Sequence, residues 1–544
     1  MSLFERTVRD GPGRLGKYTS GDSVLATPAI IDPKEMFPDL FRHAFSNTPP
    51  EFPDKVRWPK PEQYTGIMNA LVGEKPDGSD DSAVIVPGCH TLFDNPRRFT
   101  ELLIDLKERF PMDTAWYAPA SALPSNAAIL IYCGFDLFDY RAVDLMTVRG
   151  MFCTPDGEFP YDDVRDTGLC TCEGCKQHDL ALHNRIALET EIATARWFIR
   201  SHVFREFIEK RTRNAAWQVA VMRHLDAAPA YTEAVIPIAR TTPFSANTAD
   251  SLKRAEVHRF VDRVIERFIP SRTDTLVLLP CSARKPYSLS QSHRKFSYAI
   301  QNRAHELILT SPMGIVPREL EAVYPAGHYD IPVTGYWDLE EREFIAASLA
   351  RYLEKHRFGR IIAHLDDKTR LIAEDAAARV GMEIVSTCAN DRPVSPDSLK
   401  CLEESLAGER KMRPDIIRGT LSWQFGADVD TKSLILKGRR GRRKVMKGRN
   451  QMFSIDEDTG LMRPTMEGWG LIGDRYHIII DDFIPQGDVL APGILDADPA
   501  IREGDEVFVN GPRACGTGKA VMGAKEMLSS SRGVAAKLRK VKKG

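Results

Sequence analysis

The chain has 544 residues, 43% of them hydrophobic, enough for several cores and roughly three or four domains at about 150 residues each. Its 74 basic and 75 acidic side chains nearly cancel, which excludes a uniformly basic polyanion binder and leaves local clusters as the source of any such affinity. No apolar run reaches the roughly 20 residues of a bilayer span, charges stand where a signal peptide is apolar, and ten unevenly spaced cysteines do not make a secreted disulfide framework, so a cytoplasmic protein without a membrane segment is expected.

In chain order, 83 to 88 (AVIVPG), 114 to 118 (TAWYA) and 128 to 134 (AILIYCG) read as short strands, alternating with helical stretches such as 96 to 110. That rhythm predicts βα units around a parallel sheet, an α/β barrel or part of one. Residues 180 to 226 hold apolar side chains at three-to-four spacing without proline or glycine and predict long helices. A looser segment precedes a second α/β pattern: strand 275 to 280, helix near 293 to 306, strand 307 to 310, helix 339 to 355, strand 360 to 365. Then "NDRPVSPDS" marks a break, 400 to 468 is a small mixed basic region, and the stretch from about 473 has the short β runs and glycines of a compact β-barrel. The expected domains are 1–235, 240–390, 391–470 and 471–544, an α/β multidomain chain with a partial TIM-barrel-like first domain.

"CTCEGCKQHDLALHN" is the strongest chemical signal. Cys170, Cys172 and Cys175 can bring three thiolates around one ion from a single turn, and a nearby histidine completes a closed, structural zinc site. His178 and His183 compete for the fourth place; His183, opening the following helix, is preferred because packing can fix its ring.

"LVLLPCSARKPYSLSQSH" delivers a crowd of reactive side chains to the end of a strand, where α/β folds bind ligands. Cys281 suits a nucleophile, Lys285 a cation that lowers its pKa or an acid or base, and His293 a proton shuttle near neutrality. Ser282, Tyr287, Ser290 and Ser292 are candidate substrate contacts. The loop 311 to 338, rich in Gly, Pro, Tyr and carboxylates, is expected to form the opposite pocket wall, with Glu319, Glu321, Asp330 and Asp338 as candidates for holding an ammonium. Residues 432 to 450 carry nine basic side chains and no acid, so Arg439, Arg440, Arg442, Arg443 and Lys444 are candidate phosphate contacts. Lys537, Arg539, Lys540, Lys542 and Lys543 close the chain as a further contact surface or a frayed tail.

"GFDLFDYRAVDLM", followed downstream by "CTCEGC" and "LHN", resembles the tRNA-guanine transglycosylase family. The resemblance maps that family's nucleophile onto Asp139 and its zinc ligands onto Cys170, Cys172, Cys175 and His183. Only about 135 residues precede the segment, too few for an eight-stranded barrel, which implies a degenerate domain serving as scaffold or RNA-binding surface. "PCSARKPYSLSQSH" resembles, without a break in its pattern, the signature of the archaeosine synthase family. "GDVLAPGI", "GDEV", "GTGKAVMGAKEM" and "RGVAAKLRKV" resemble the PUA domain, and the domain order fits that family over nearly the full chain.

What this resemblance implies is a transferase in archaeosine biosynthesis, acting on the nitrile of 7-cyano-7-deazaguanine at position 15 of tRNA. Free lysine is the favoured nitrogen donor, and a separate radical enzyme would complete the conversion. The tRNA would be held at its D-loop and acceptor stem. A homodimer through the zinc subdomain is a softer implication, from related transglycosylases. Two alternatives stand beside it: an active transglycosylase that uses Asp139, and a non-catalytic tRNA-binding subunit whose partner does the chemistry.

Overall fold

The computed structural model describes residues 2–20, 22–36, 83–86, 88–331, 336–439 and 441–544. The chain forms two compact units, one of Met1–Pro237, Val489–Ile494 and Val521–Ala535, the other of Ile238–Asp488, Leu495–Ala520 and Ala536–Gly544.

The first unit opens with three antiparallel strands, Ser2–Asp10, Gly13–Ser20 and Ser23–Thr27, where no strand was expected. Phe4 and Tyr18 face each other across the first pair and both are buried. Gly16 lies so close to the Phe4 ring that a Cβ there would sit 2.5 Å from it. Next comes a sheet of four short strands, all neighbours parallel, in the order Ala29–Ile30, Leu137–Phe138, Ala115–Tyr117, Ala83–Ile85. Four short parallel strands among the described residues accord with the partial α/β barrel expected of this domain. The expected helix at 96 to 110 is Pro96–Arg109, capped by the Asn95 side chain, which accepts from the Arg98 amide.

One expectation is corrected here. The apolar run 128 to 134 is no strand: Ala127–Tyr132 is a helix buried on every side, a case in which apolar content alone does not distinguish the two. The long helical stretch divides into Leu180–Arg200, Phe204–Arg211 and Ala216–Asp226. His202, with a left-handed backbone (φ 54), makes the first break, and the turn that follows returns Phe204, Phe207 and Ile208 to the core.

The second unit is built on a five-stranded sheet ordered Gly314–Pro317, His305–Thr310, Thr275–Pro280, Arg360–Ala363, Ile384–Ser386, parallel except for the first strand. Every residue of His305–Thr310 and all but the last of Thr275–Pro280 are buried, so both faces are covered. Val257, Phe260 and Val264 of helix Ala255–Glu266 and Phe296 and Ile300 of helix Gln291–Ile300 belong to the same core. That second helix stops short of the expected residue 306, because Gln301 and Asn302 take left-handed backbones (φ 52 and 58) before the strand begins.

Beyond it, Leu434–Lys437, Lys444–Lys447, Asn450–Ile455 and Met462–Pro464 form an antiparallel sheet in chain order. The last sheet pairs Glu506–Asn510 with Ala514–Ala520 and the latter with Val534–Lys543. The closing basic segment is therefore an ordered strand, not a frayed tail. No helix among the described residues is long and apolar enough to cross a membrane.

Candidate active site and metal cluster

Cys170, Cys172, Cys175 and His183 offer ligand atoms that all lie within 4.8 Å of one another. Cys172 Sγ and Cys175 Sγ are each 3.3 Å from His183 Nδ1. The other ring nitrogen, Nε2, lies 3.0 Å from the Cys153 carbonyl and donates to it, which fixes the tautomer and leaves the Nδ1 lone pair toward the thiols. Phe152 stacks on the ring at 3.7 Å. Gly174 closes the turn, where a Cβ would lie 2.3 Å from the His183 amide nitrogen. Three thiols and an imidazole are a soft set with no open position, and they fit a metal held for structure. His178 stands outside the cluster.

Asp139 is sealed. It is 1% exposed and accepts from the Tyr117 hydroxyl (2.5 Å), the Ala120 amide (3.0 Å) and the Arg141 amide (2.9 Å). Burial raises its carboxyl above the ordinary range against the pull of these bonds.

Cys281 follows the central strand Thr275–Pro280. The chain goes first to a neighbour on one side, His305–Thr310, and later to one on the other, Arg360–Ala363, so Cys281 stands at a switch point of the sheet. As a residue Cys281 is exposed, yet enough protein surrounds its sulfur for burial to raise the thiol above its usual value. The neighbouring Thr310 hydroxyl and the Lys285 cation draw it back down, while Asp366 pushes it up. Lys285 Nζ sits 3.7 Å above the Tyr329 ring, and burial lowers its pKa against the opposing pull of Cys281 and Asp330. The Tyr329 hydroxyl lies 2.7 Å from that of Tyr287 and 2.5 Å from Thr310 Oγ1. Thr310 and Tyr329 escaped the sequence reading. Thr310 ends the strand beside Cys281, which was a usable signal, whereas Tyr329 was one tyrosine of several in a long loop.

The structure corrects the role expected of His293. It is 1% exposed; Nε2 lies 3.0 Å from the Pro280 carbonyl, and Nδ1 accepts from Arg318 Nη2 at 2.8 Å. With both nitrogens occupied, burial and then the Arg318 charge push its pKa down to about 3, so it is no shuttle near neutrality. It ties the residue before Cys281 to Arg318, which is itself held by Glu306 (2.6 Å) and Glu321 (2.8 Å). Ser290 is the cap of helix Gln291–Ile300, accepting from the His293 amide, and its hydroxyl lies 3.2 Å from that of Ser292. Ser282 donates to the Arg284 carbonyl at 3.0 Å.

Three of the four candidate carboxylates are likewise engaged elsewhere. Glu319 is buried beneath the Ser271 hydroxyl, Glu321 pairs with Arg318, and Asp338 caps helix Leu339–His356. Asp330 alone is exposed and acts on Lys285. In the basic hairpin, Arg439, Arg442 and Lys444 are exposed, Arg443 is held by Glu457 through two 2.8 Å bonds, and Arg440 lies outside the described residues. A cleft of about 520 Å³ is lined by Arg449, Arg463, Arg539 and Lys540 among others. Two of these arginines are paired, Arg463 with Asp456 and Arg539 with Glu506.

Residues 257–406 match the model of a domain of unknown function (DUF5591), and 477–542 match the PUA domain. The chain is 38% identical to the archaeosine synthase subunit alpha of Methanosarcina acetivorans, across 88% of this chain and 82% of that protein. It is 34% identical to the archaeosine synthase of Haloferax volcanii, across 99% of each. To the tRNA-guanine(15) transglycosylase of Methanococcus maripaludis it is 22% identical, across 81% of this chain and 68% of that one. A transglycosylase-related multidomain fold ending in a PUA domain defines the chain as a tRNA-modifying transferase. It belongs to the archaeosine synthase family, whose work is archaeosine biosynthesis.

Proposed function

We propose that the chain joins free lysine to the nitrile of 7-cyano-7-deazaguanine at position 15 of tRNA, with Cys281 as nucleophile and Lys285 as proton carrier. The observation that carries this reading is Cys281, an exposed residue at the carboxyl end of the central strand, followed four residues later by Lys285, whose ammonium lies on the Tyr329 ring. In the first step the thiolate forms a C–S bond to the nitrile carbon while the nitrile nitrogen takes the Lys285 proton, giving a neutral thioimidate. The amine of the donor then forms a C–N bond to that carbon, the thiolate leaves, and the amine's proton returns to Lys285. The sum is an amidine from one nitrile and one amine, with the protein restored.

RNA approach to this edge is supported by sequence: from residue 275 to 305 no acidic side chain occurs, while Arg284, Lys285, Arg294 and Lys295 do. Arg439, Arg442 and Lys444 and the PUA strand carrying Lys537 and Lys540 add phosphate contacts at other points of the tRNA. Zinc in the Cys170, Cys172, Cys175 and His183 cluster supplies structure only. The "subunit alpha" in a relative's name supports a partner protein that finishes the conversion.

The test is mass spectrometry of nitrile-bearing tRNA after incubation with the protein and lysine. A lysine-mass adduct from wild type, absent with Cys281→Ala and Lys285→Ala, is expected. Release of the nitrile base with no adduct would instead favour base exchange through Asp139.

A further inference from the structure

Behind Cys281 stands a row of hydroxyls that the signature contains only in part. Tyr287 OH is 2.7 Å from Tyr329 OH, Tyr329 OH is 2.5 Å from Thr310 Oγ1, and Thr310 stands beside Cys281, each being the next residue after the paired Leu309 and Pro280 of neighbouring parallel strands. All three are buried, at 0%, 4% and 1% exposure, so water cannot readily replace a missing partner. Each hydroxyl has one proton to donate. Thr310 can turn its proton toward an ionised sulfur, with Tyr329 donating to Thr310 and Tyr287 to Tyr329, so that every proton in the row points toward the charge. When the sulfur is protonated, the Ser311 carbonyl, 3.2 Å from Thr310 Oγ1, takes the threonine's proton instead.

The same Tyr329 ring carries the Lys285 ammonium on its face at 3.7 Å. One side chain therefore meets Thr310, the residue beside Cys281, through its hydroxyl and the cation through its ring. The charged and titratable groups acting on these two are Asp366 on the sulfur, Asp330 on the lysine, and the two tyrosines themselves.

We propose that Thr310, Tyr329 and Tyr287 form a hydroxyl chain that stabilises the Cys281 thiolate, and that Tyr329 is the positioning residue fixing thiolate and Lys285 relative to each other. This deepens the reading of Cys281 as nucleophile and rests on it. Thr310 and Tyr329 lie outside the fourteen-residue signature.

The experiment follows alkylation of Cys281 by iodoacetamide against pH in the full chain, resolved from the other cysteines by peptide mass spectrometry. Thr310→Val is expected to raise the midpoint by about one pH unit, and so to cut the rate near neutrality about tenfold. Tyr329→Phe, which keeps the ring beneath Lys285, gives a smaller rise, Tyr287→Phe the smallest, and Thr310→Ser restores the wild-type profile. Thermal melts identify any variant that fails to fold, and Thr310→Ser carries the test for that position. Midpoints unchanged in folded Thr310→Val and Tyr329→Phe would overturn the proposal. The assay needs neither tRNA nor lysine, so a normal thiol profile in a protein that makes no adduct sinks the functional reading instead.

Discussion

Asp139 and Cys281 occupy the same kind of place, just past the carboxyl end of a buried strand in a parallel sheet. Asp139 follows a two-residue strand and is met at once by its surroundings, two backbone amides and a tyrosine hydroxyl. After Cys281 the chain runs to Ser290 before the next α-helix starts, and the residue remains exposed. The difference teaches that a reactive residue type at the right edge is not yet a site. What decides is whether its atoms are already satisfied by the fold.

The largest expected effect tests that contrast directly. Cys281→Ala and Lys285→Ala each lower the rate of lysine-adduct formation by about 10²-fold or more, while Asp139→Asn stays near wild type, as read by mass spectrometry of the tRNA. An equal loss in Asp139→Asn would erase the distinction between the two edges.

The metal cluster offers the next break. Cys172→Ser should abolish bound zinc in elemental analysis and lower the unfolding temperature, because binding energy at a structural site is folding energy. Adduct formation by folded protein should persist, since no ligand of the cluster belongs to the loop at Cys281.

Buried carboxyls sharpen the comparison through pH. Glu319 accepts from Ser271 through one oxygen, and burial pushes it up from 4.5 to about 7. The folded chain therefore holds this proton more tightly than the unfolded chain. Stability from this group is present below about pH 4.5 and is lost as pH rises to 7, on the order of 3 kcal/mol. In denaturant titrations Glu319→Gln should flatten that fall, and its advantage over wild type should widen between pH 5 and 8.

The smallest effects separate exposed from engaged arginines. Replacing Arg439 and Arg442 together should reduce the salt dependence of tRNA binding by a slope of about two, whereas Arg443→Ala, which unpairs Glu457, should change stability more than the slope.

Much of this was legible in the sequence for physical reasons. The Cys-x-Cys-x-x-Cys turn and the His183 that opens the next helix are local, so spacing alone brings them near each other. The strand before Cys281 is an uninterrupted apolar run, and the delivery of Cys281 to the carboxyl end of a parallel sheet followed from the βα rhythm. The misses are of another kind. Ala127–Tyr132 is as apolar as any strand, and only its company in the fold makes it a helix. The roles of His293 and Glu319 depend on Arg318 and Ser271, at distances along the chain that no local pattern encodes.

The bolt between His293 and Arg318 bears on any attempt to move this chemistry elsewhere. A designer who grafted the fourteen residues from Pro280 to His293 onto another α/β sheet would transplant the thiol and the lysine without their moorings. Arg318 with its two glutamates, Thr310 and Tyr329 would all be left behind. The graft would carry a spelling without its grammar, and it becomes a reactive loop only when the host supplies a guanidinium and two hydroxyls at matching points.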